Sequence, residues 1–242
     1  MRTVFLGFLL TYSVVAGAED RVAAARQNQA QVLPALFTAA GVAWPPTELY
    51  LRAFKHEREL EVWAGAAGKP LVKVKTYAFC AASGELGPKR QEGDLQVPEG
   101  FYTIDLFNPR SAYHLSIRVS YPNESDRILG RRPLGGAIMV HGNCVSIGCI
   151  AIEDGPIEEL YLMTLEAKRK MGRDVPIHIF PRRLNAEGLA ALEQLPQAQA
   201  NAALLAFWRG LAPGWSHFEE TRRPPRVSVD PKTGAYRVKP GK

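Results

Sequence analysis

Between Met139 and Ile152 the chain reads MVHGNCVSIGCIAI, which sets a histidine, two cysteines, a serine and two glycines between short apolar runs. A cysteine attacks as its thiolate, so a working one needs a neighbouring imidazole or another positive influence to take its proton at neutral pH. His141 and Cys149, eight positions apart, are the candidate pair. Fully extended, that interval would span about 25 Å, so the chain must double back. Gly142, Asn143 and Gly148 suit such a turn. The chemistry is acyl transfer: sulfur attacks a carbonyl, a thioester forms, and the imidazolium protonates the departing amine. The backbone N–H groups of Gly148 and Cys149 are candidate oxyanion donors, Ser146 could donate to substrate or intermediate, and Gly142 is a further candidate for positioning.

Bland readings compete. A cysteine in an apolar run is most often a small buried hydrophobe. A metal site built from His141, Cys144 and Cys149, with Cys80 or His114 as fourth ligand, matches no zinc spacing well, and no metal or other cofactor is expected. His56, His114, His178 and His217 are expected in structural or surface roles.

The N-terminus decides the expected compartment. Arg2, the apolar run Val4 to Val15 and the small residues Ala16-Gly17-Ala18 make residues 1–18 an expected signal peptide, cut after Ala18. The run is shorter than the roughly 20 apolar residues that span a bilayer. The mature chain is therefore expected to be exported to the periplasm without a stable membrane span. Its formal net charge of +6 becomes +5 once Arg2 is removed, which favours anionic polymers such as cell-wall material. Nucleic acid is not an expected partner, because the basic residues are scattered and no recognition motif is present. Three cysteines are an odd count for an oxidising space, so one stays free or pairs with another molecule. The economical assignment is a Cys80–Cys144 bridge with Cys149 free, although three pairings are open.

The elements that must hold the motif follow from periodicity. Residues 19–47 read as an N-terminal helical segment, with a helix from Asp20 to about Ala40 ended by Gly41 and the Pro45-Pro46 pair. Tyr50–Phe54 and Leu60–Ala64 alternate apolar and polar residues around a charged turn, which predicts a half-buried hairpin. Further strands are expected over Leu71–Phe79, Tyr102–Ile104, Tyr113–Val119, Ala137–Val140, Ile150–Ile152 and Val175–Phe180. A helix capped by Asp154 should run to Gly172. Beyond it, residues 184–242 form a C-terminal extension. Two helices, Leu189–Leu195 and Ala198–Leu211, are expected there, followed by a basic, proline-containing tail that is either docked or free.

In their surroundings these residues resemble a known family. His141-Gly142 followed by Ser146-Ile147-Gly148-Cys149 is similar to the active-site signature of the L,D-transpeptidase (YkuD-domain) family. Gly87-Pro88-Lys89, Glu92-Gly93-Asp94 and Pro98-Glu99-Gly100-Phe101-Tyr102 resemble loops of the same domain, and Ser120-Tyr121-Pro122-Asn123 fits one branch. The resemblance covers about residues 48–181, within an expected catalytic domain of residues 48–183. It implies a mainly β fold with flanking helices, a sandwich or barrel-like sheet of α+β class. It also implies that Cys149 attacks the carbonyl of the L-centre of diaminopimelate in a peptidoglycan stem peptide, and that water or an amine resolves the thioester.

Two departures narrow the resemblance. Ile147 stands where commoner members carry a second histidine, and Ala151 where they carry arginine or asparagine; the histidine-to-cysteine interval is also short. The compact form resembles a murein-peptide-processing branch, in which hydrolysis, including release of a wall-linked lipoprotein, stands beside transpeptidation. A carbapenem is the implied covalent inhibitor. The alternative is a non-catalytic peptidoglycan-binding module that retains the fold.

Overall fold

Strands that are apolar on one face and apolar or internally ion-paired on the other can be buried from both sides, and that is the arrangement here. The computed structural model describes residues 13–239. In chain order these form α1 (Ser13–Gln29), α2 (Val32–Ala39), β1 (Glu48–Phe54), β2 (Glu59–Gly65), β3 (Val72–Ala78), β4 (Gly100–Asn108), β5 (Ser116–Val119) and α3 (Glu124–Leu129). There follow β6 (Met139–His141), β7 (Ile150–Ala151), α4 (Asp154–Met171), β8 (Val175–Phe180), α5 (Ala186–Glu193), α6 (Pro196–Gln199), α7 (Ala202–Thr221), β9 (Arg226–Val229) and β10 (Tyr236–Lys239). Most of the apolar run expected to be a leader lies outside the described residues. No described helix is long and apolar enough to cross a membrane.

One eight-stranded sheet runs β3-β2-β1-β8-β4-β5-β6-β7, and β9 and β10 make a separate hairpin. The β1–β8 and β6–β7 pairs are parallel and the others antiparallel. Strand periodicity sends alternate β1 side chains to opposite faces. Leu49, Leu51 and Ala53 pack in the core that includes Phe37 of α2 and Ile157 and Leu160 of α4. Tyr50 meets Phe218 of α7, and Phe54 joins Trp208 and Leu211.

The hairpin is therefore buried on both faces rather than half-exposed. Its polar positions turn inward because partners wait there. Arg52 and Glu61 are each 2% exposed and 2.7 Å apart. Arg52 also reaches Glu219 of α7 at 2.6 Å, and Trp63 donates to Glu61 at 2.8 Å.

The expected N-terminal helix is two helices. Pro34 sits in the first turn of α2, where its missing N–H does no harm, but its ring excludes a helical residue four positions back. The chain breaks at Ala30-Gln31. The C-terminal extension is docked and shares its core with the sheet, and α7 continues past Leu211 to Thr221 with Pro213 inside it. The tail is also fixed: Asn123 donates to the Tyr236 hydroxyl at 2.8 Å, and Ser125 donates to the Gly234 carbonyl. Helix α3 was not expected. Asn123 caps it reciprocally with Asp126, a box whose third residue is Asp instead of the usual Glu or Gln.

Candidate functional site

The parallel pair β6–β7 aligns His141 with Ala151 and Val140 with Ile150. One step beyond the strand, Met139 falls opposite Cys149, and its N–H donates to Cys149 Sγ at 3.4 Å. His141 follows Met139 by two residues on β6, and Cys149 directly precedes β7, so the parallel pairing brings both to one end of the sheet. The thiol's other hydrogen-bond partner among the described residues is the Ala137 carbonyl, 3.8 Å away.

His141 is 2% exposed. Its Nδ1 lies 2.6 Å from the Gly142 carbonyl oxygen. A carbonyl only accepts, so Nδ1 carries the proton and Nε2 keeps its lone pair. Tyr113 stacks on the ring at 4.7 Å. Burial holds the imidazole below its ordinary value of 6.5, partly opposed by the Gly142 carbonyl. Burial likewise pushes the Cys149 thiol up, against the Met139 N–H and the positive charge of Lys89. Burial thus favours the neutral form of each group, thiol and imidazole.

The intervening loop is pinned at several points. A Cβ on Gly142 would lie 2.5 Å from Asp154 Oδ1 and 3.0 Å from the Tyr113 carbonyl, so only glycine lets the loop press against α4. Asp154, expected as the cap of α4, is instead its first residue, with Glu153 in the cap position, and it accepts from the Asn143 N–H at 2.8 Å. Asn143 adopts a left-handed φ of 60°. A disulfide joins Cys144 to Cys80. The Cys80 N–H donates to the Ala151 carbonyl at 3.0 Å, which ties that segment to β7.

Ser146 does not face the sulfur. Its hydroxyl donates to the Cys149 carbonyl at 2.7 Å and accepts from the Gly148 N–H at 3.3 Å. That N–H is accordingly turned into the loop, away from the role of oxyanion donor, and Gly148 holds a φ of +127° that disfavours side chains. Ile147 points outward and is 78% exposed.

A family model of the L,D-transpeptidase catalytic domain, YkuD, matches residues 53–179. The Escherichia coli (strain K12) protein named "Putative L,D-transpeptidase YafK" is 34% identical over 183 residues, covering 75% of this chain and 70% of that protein. The chain belongs to the L,D-transpeptidase family. Two solved structures are also similar. The helical cell shape determining protein Pgp2 from Campylobacter jejuni has a TM-score of 0.46 and 21% identity, over 76% of this chain and 73% of that one. Bdellovibrio bacteriovorus Bd1075 has a TM-score of 0.42 and 21% identity, over 57% and 48%. Membership in this L,D-transpeptidase family directs the site toward peptidoglycan stem peptides.

Three groups around this L,D-transpeptidase site were not singled out from residue types. The Gly142 carbonyl orients the His141 ring, and Tyr113 covers it; neither leaves a mark in the sequence. Lys89 is 5% exposed, bonded to Asp94 at 2.6 Å and to the Gln91 carbonyl at 2.8 Å, and it bears electrostatically on Cys149. Asp94 also accepts three backbone N–H groups, from Arg90, Gln91 and Gln96, which shapes the loop. The Gly87-Pro88-Lys89 and Glu92-Gly93-Asp94 elements were the available signal.

Proposed function

We propose that this protein is an exported cysteine acyl-transfer enzyme that acts on the L-centre of diaminopimelate in peptidoglycan stem peptides. The observation that carries the reading is the His141 tautomer beside the β6–β7 pairing: Nδ1 is anchored on the Gly142 carbonyl, which leaves Nε2 with its lone pair, and the pairing brings the residue before β7, Cys149, to the same end of the sheet. As Sγ approaches the substrate carbonyl, Nε2 takes the thiol proton. The C–S bond forms, and the tetrahedral oxyanion receives the Cys149 N–H, the remaining donor of the expected pair. His141 then passes the proton to the departing amine as the C–N bond breaks, leaving a thioester at Cys149.

Water or an amine attacks that thioester, with His141 again as base. Water gives hydrolysis, including release of a wall-linked lipoprotein, and an amine gives a cross-link. Ser146 acts as a loop brace, and Gly142 and Gly148 supply close approach and backbone conformation. Lys89 favours the thiolate as it develops.

The test is product analysis by mass after incubating the purified protein with muropeptides and with lipoprotein-linked murein. The parent protein should release products or join stem peptides, and Cys149→Ala should do neither. Equal turnover by Cys149→Ala would overturn the mechanism.

A further inference from the structure

The C-terminal extension does more than cover the sheet: with the Pro88–Arg90 segment it walls a cavity. Its volume is about 360 Å³, and Pro88, Arg90, Leu129, Arg131, Leu204 and Phe207 contribute to its walls. No carboxylate lines it.

Two arginines line this cavity from adjoining backbone, because the Arg131 N–H donates to the Arg90 carbonyl at 2.7 Å. Like charges rooted so closely repel one another unless an anion lies between them. The one carboxylate in contact is Asp126, fully buried behind Arg90 and 3.2 Å from it. Asp126 is further engaged by the Tyr102 hydroxyl and the Asn123 N–H. Arg90 is held in place by stacking over Phe207 at 4.7 Å, while Arg131 is exposed and has no ion-pair partner among the described residues. The floor formed by Leu129, Leu204 and Phe207 is apolar. Such a site suits a carboxylate carried on a short aliphatic or peptide body, with arginine able to bind it in two-pronged fashion.

The chain that lines the cavity also leads toward Cys149. The segment that holds Arg131 continues through Pro133, whose carbonyl accepts from the Glu92 N–H at 2.8 Å, to Ala137 beside Cys149 Sγ. From Arg131 to Ala137 the chain spans at most about 20 Å, the reach of a short extended peptide. Lys89, between the cavity residues Pro88 and Arg90, bears on Cys149. We infer that the Arg90–Arg131 cavity binds a carboxylate of the wall peptide remote from the scissile bond, and so helps select the substrate. This rests on the proposed action on stem peptides.

Binding can be measured by calorimetry in the full-length Cys149→Ala protein, which holds substrate without turnover. The probes are a disaccharide-tetrapeptide muropeptide, the same compound with its glutamate carboxylate amidated, and a cross-linked dimer. Arg131→Gln should weaken binding of the carboxylate-bearing probe about tenfold, and Arg131→Lys less. Arg169→Gln, the same loss of charge on the exposed face of α4, is the control and should leave affinity unchanged.

If the carboxylate belongs to the stem in the active site, amidation weakens the parent about tenfold and abolishes the effect of Arg131→Gln. If it belongs to a neighbouring stem, only the dimer responds to Arg131→Gln. Affinities within twofold of the parent for all three probes would overturn the inference while leaving the Cys149 chemistry standing. Failure of every muropeptide to bind would remove both. Arg131-dependent binding alongside an inert Cys149 in the otherwise unmodified protein would remove the acyl-transfer reading alone.

Discussion

The two ends of the sheet bury polar groups in opposite ways. At the β1–β2 end, Arg52, Glu61, Glu219, Trp63 and Arg183 neutralise one another directly, and Arg183 reaches Glu61 at 3.1 Å. Burial alone would raise the Glu61 carboxyl, but Arg52 with the Trp63 and Arg52 hydrogen bonds holds it below its ordinary value of 4.5. At the β6–β7 end, His141 and Cys149 are held by backbone groups, and burial favours the neutral form of each. The first arrangement locks charge in place. The second keeps both groups neutral, which on the proposed mechanism leaves one proton free to pass from thiol to imidazole.

Mutations should separate the two ends. Cys149→Ala is expected to lower turnover of muropeptides by about four orders of magnitude or more, with little change in the urea midpoint. Comparable loss of stability in that variant would break the contrast. Glu61→Ala should do the reverse, because it takes from buried Arg52 one of its two carboxylates and strands the Trp63 N–H: about 3 kcal/mol of unfolding free energy lost in urea titration.

Replacing Cys80 and Cys144 by serine opens a loop closed across 64 residues and should cost about 2–4 kcal/mol, with a slower reaction because the bridge anchors the catalytic loop. Ser146→Ala should be mildest, about 1 kcal/mol, or roughly fivefold in rate.

Acidity sharpens the same comparison. Neutral His141 is required, so kcat/KM should fall as pH drops through a value below 6.5, and the inflection belongs to the imidazole. Glu61 follows the carboxylate sign: its folded value is lowered, so its stabilisation is complete above about pH 4.5 and disappears as pH falls through that lowered value. Alkylation of Cys149 by iodoacetamide should accelerate as pH rises past 9.0, because burial raises the thiol. An alkylation inflection near pH 7 would show that a thiolate–imidazolium pair already exists at rest.

Much of this was legible because short stretches carried their own signals. The types and spacing around His141 and Cys149 pointed to a nucleophile and base, and the Gly172 helix end was readable from glycine's ease in the left-handed conformation it adopts. Other features depend on partners distant in sequence. Arg52 and Glu61 alternate as solvent-facing residues would, yet α7 covers them. The Gly142 carbonyl becomes an orienting group only once the β6–β7 register is formed, and Ser146 turns inward only once Gly148 is placed.

Two further signals are local. Pro34 divides α1 from α2. The Asp230-to-Gly234 segment turns β9 into β10, with Asp230 accepting from the Lys232 and Thr233 N–H groups at 2.9 and 3.1 Å. In both cases residue chemistry forecast the turn.

The central claim is that Cys149 is an acylating thiol, and the intact mass after carbapenem treatment tests it most directly. One carbapenem mass should be added, peptide mapping should place it on Cys149, and His141→Ala should slow its appearance. An unmodified protein, or an adduct on another residue with Cys149 still free, would contradict the account.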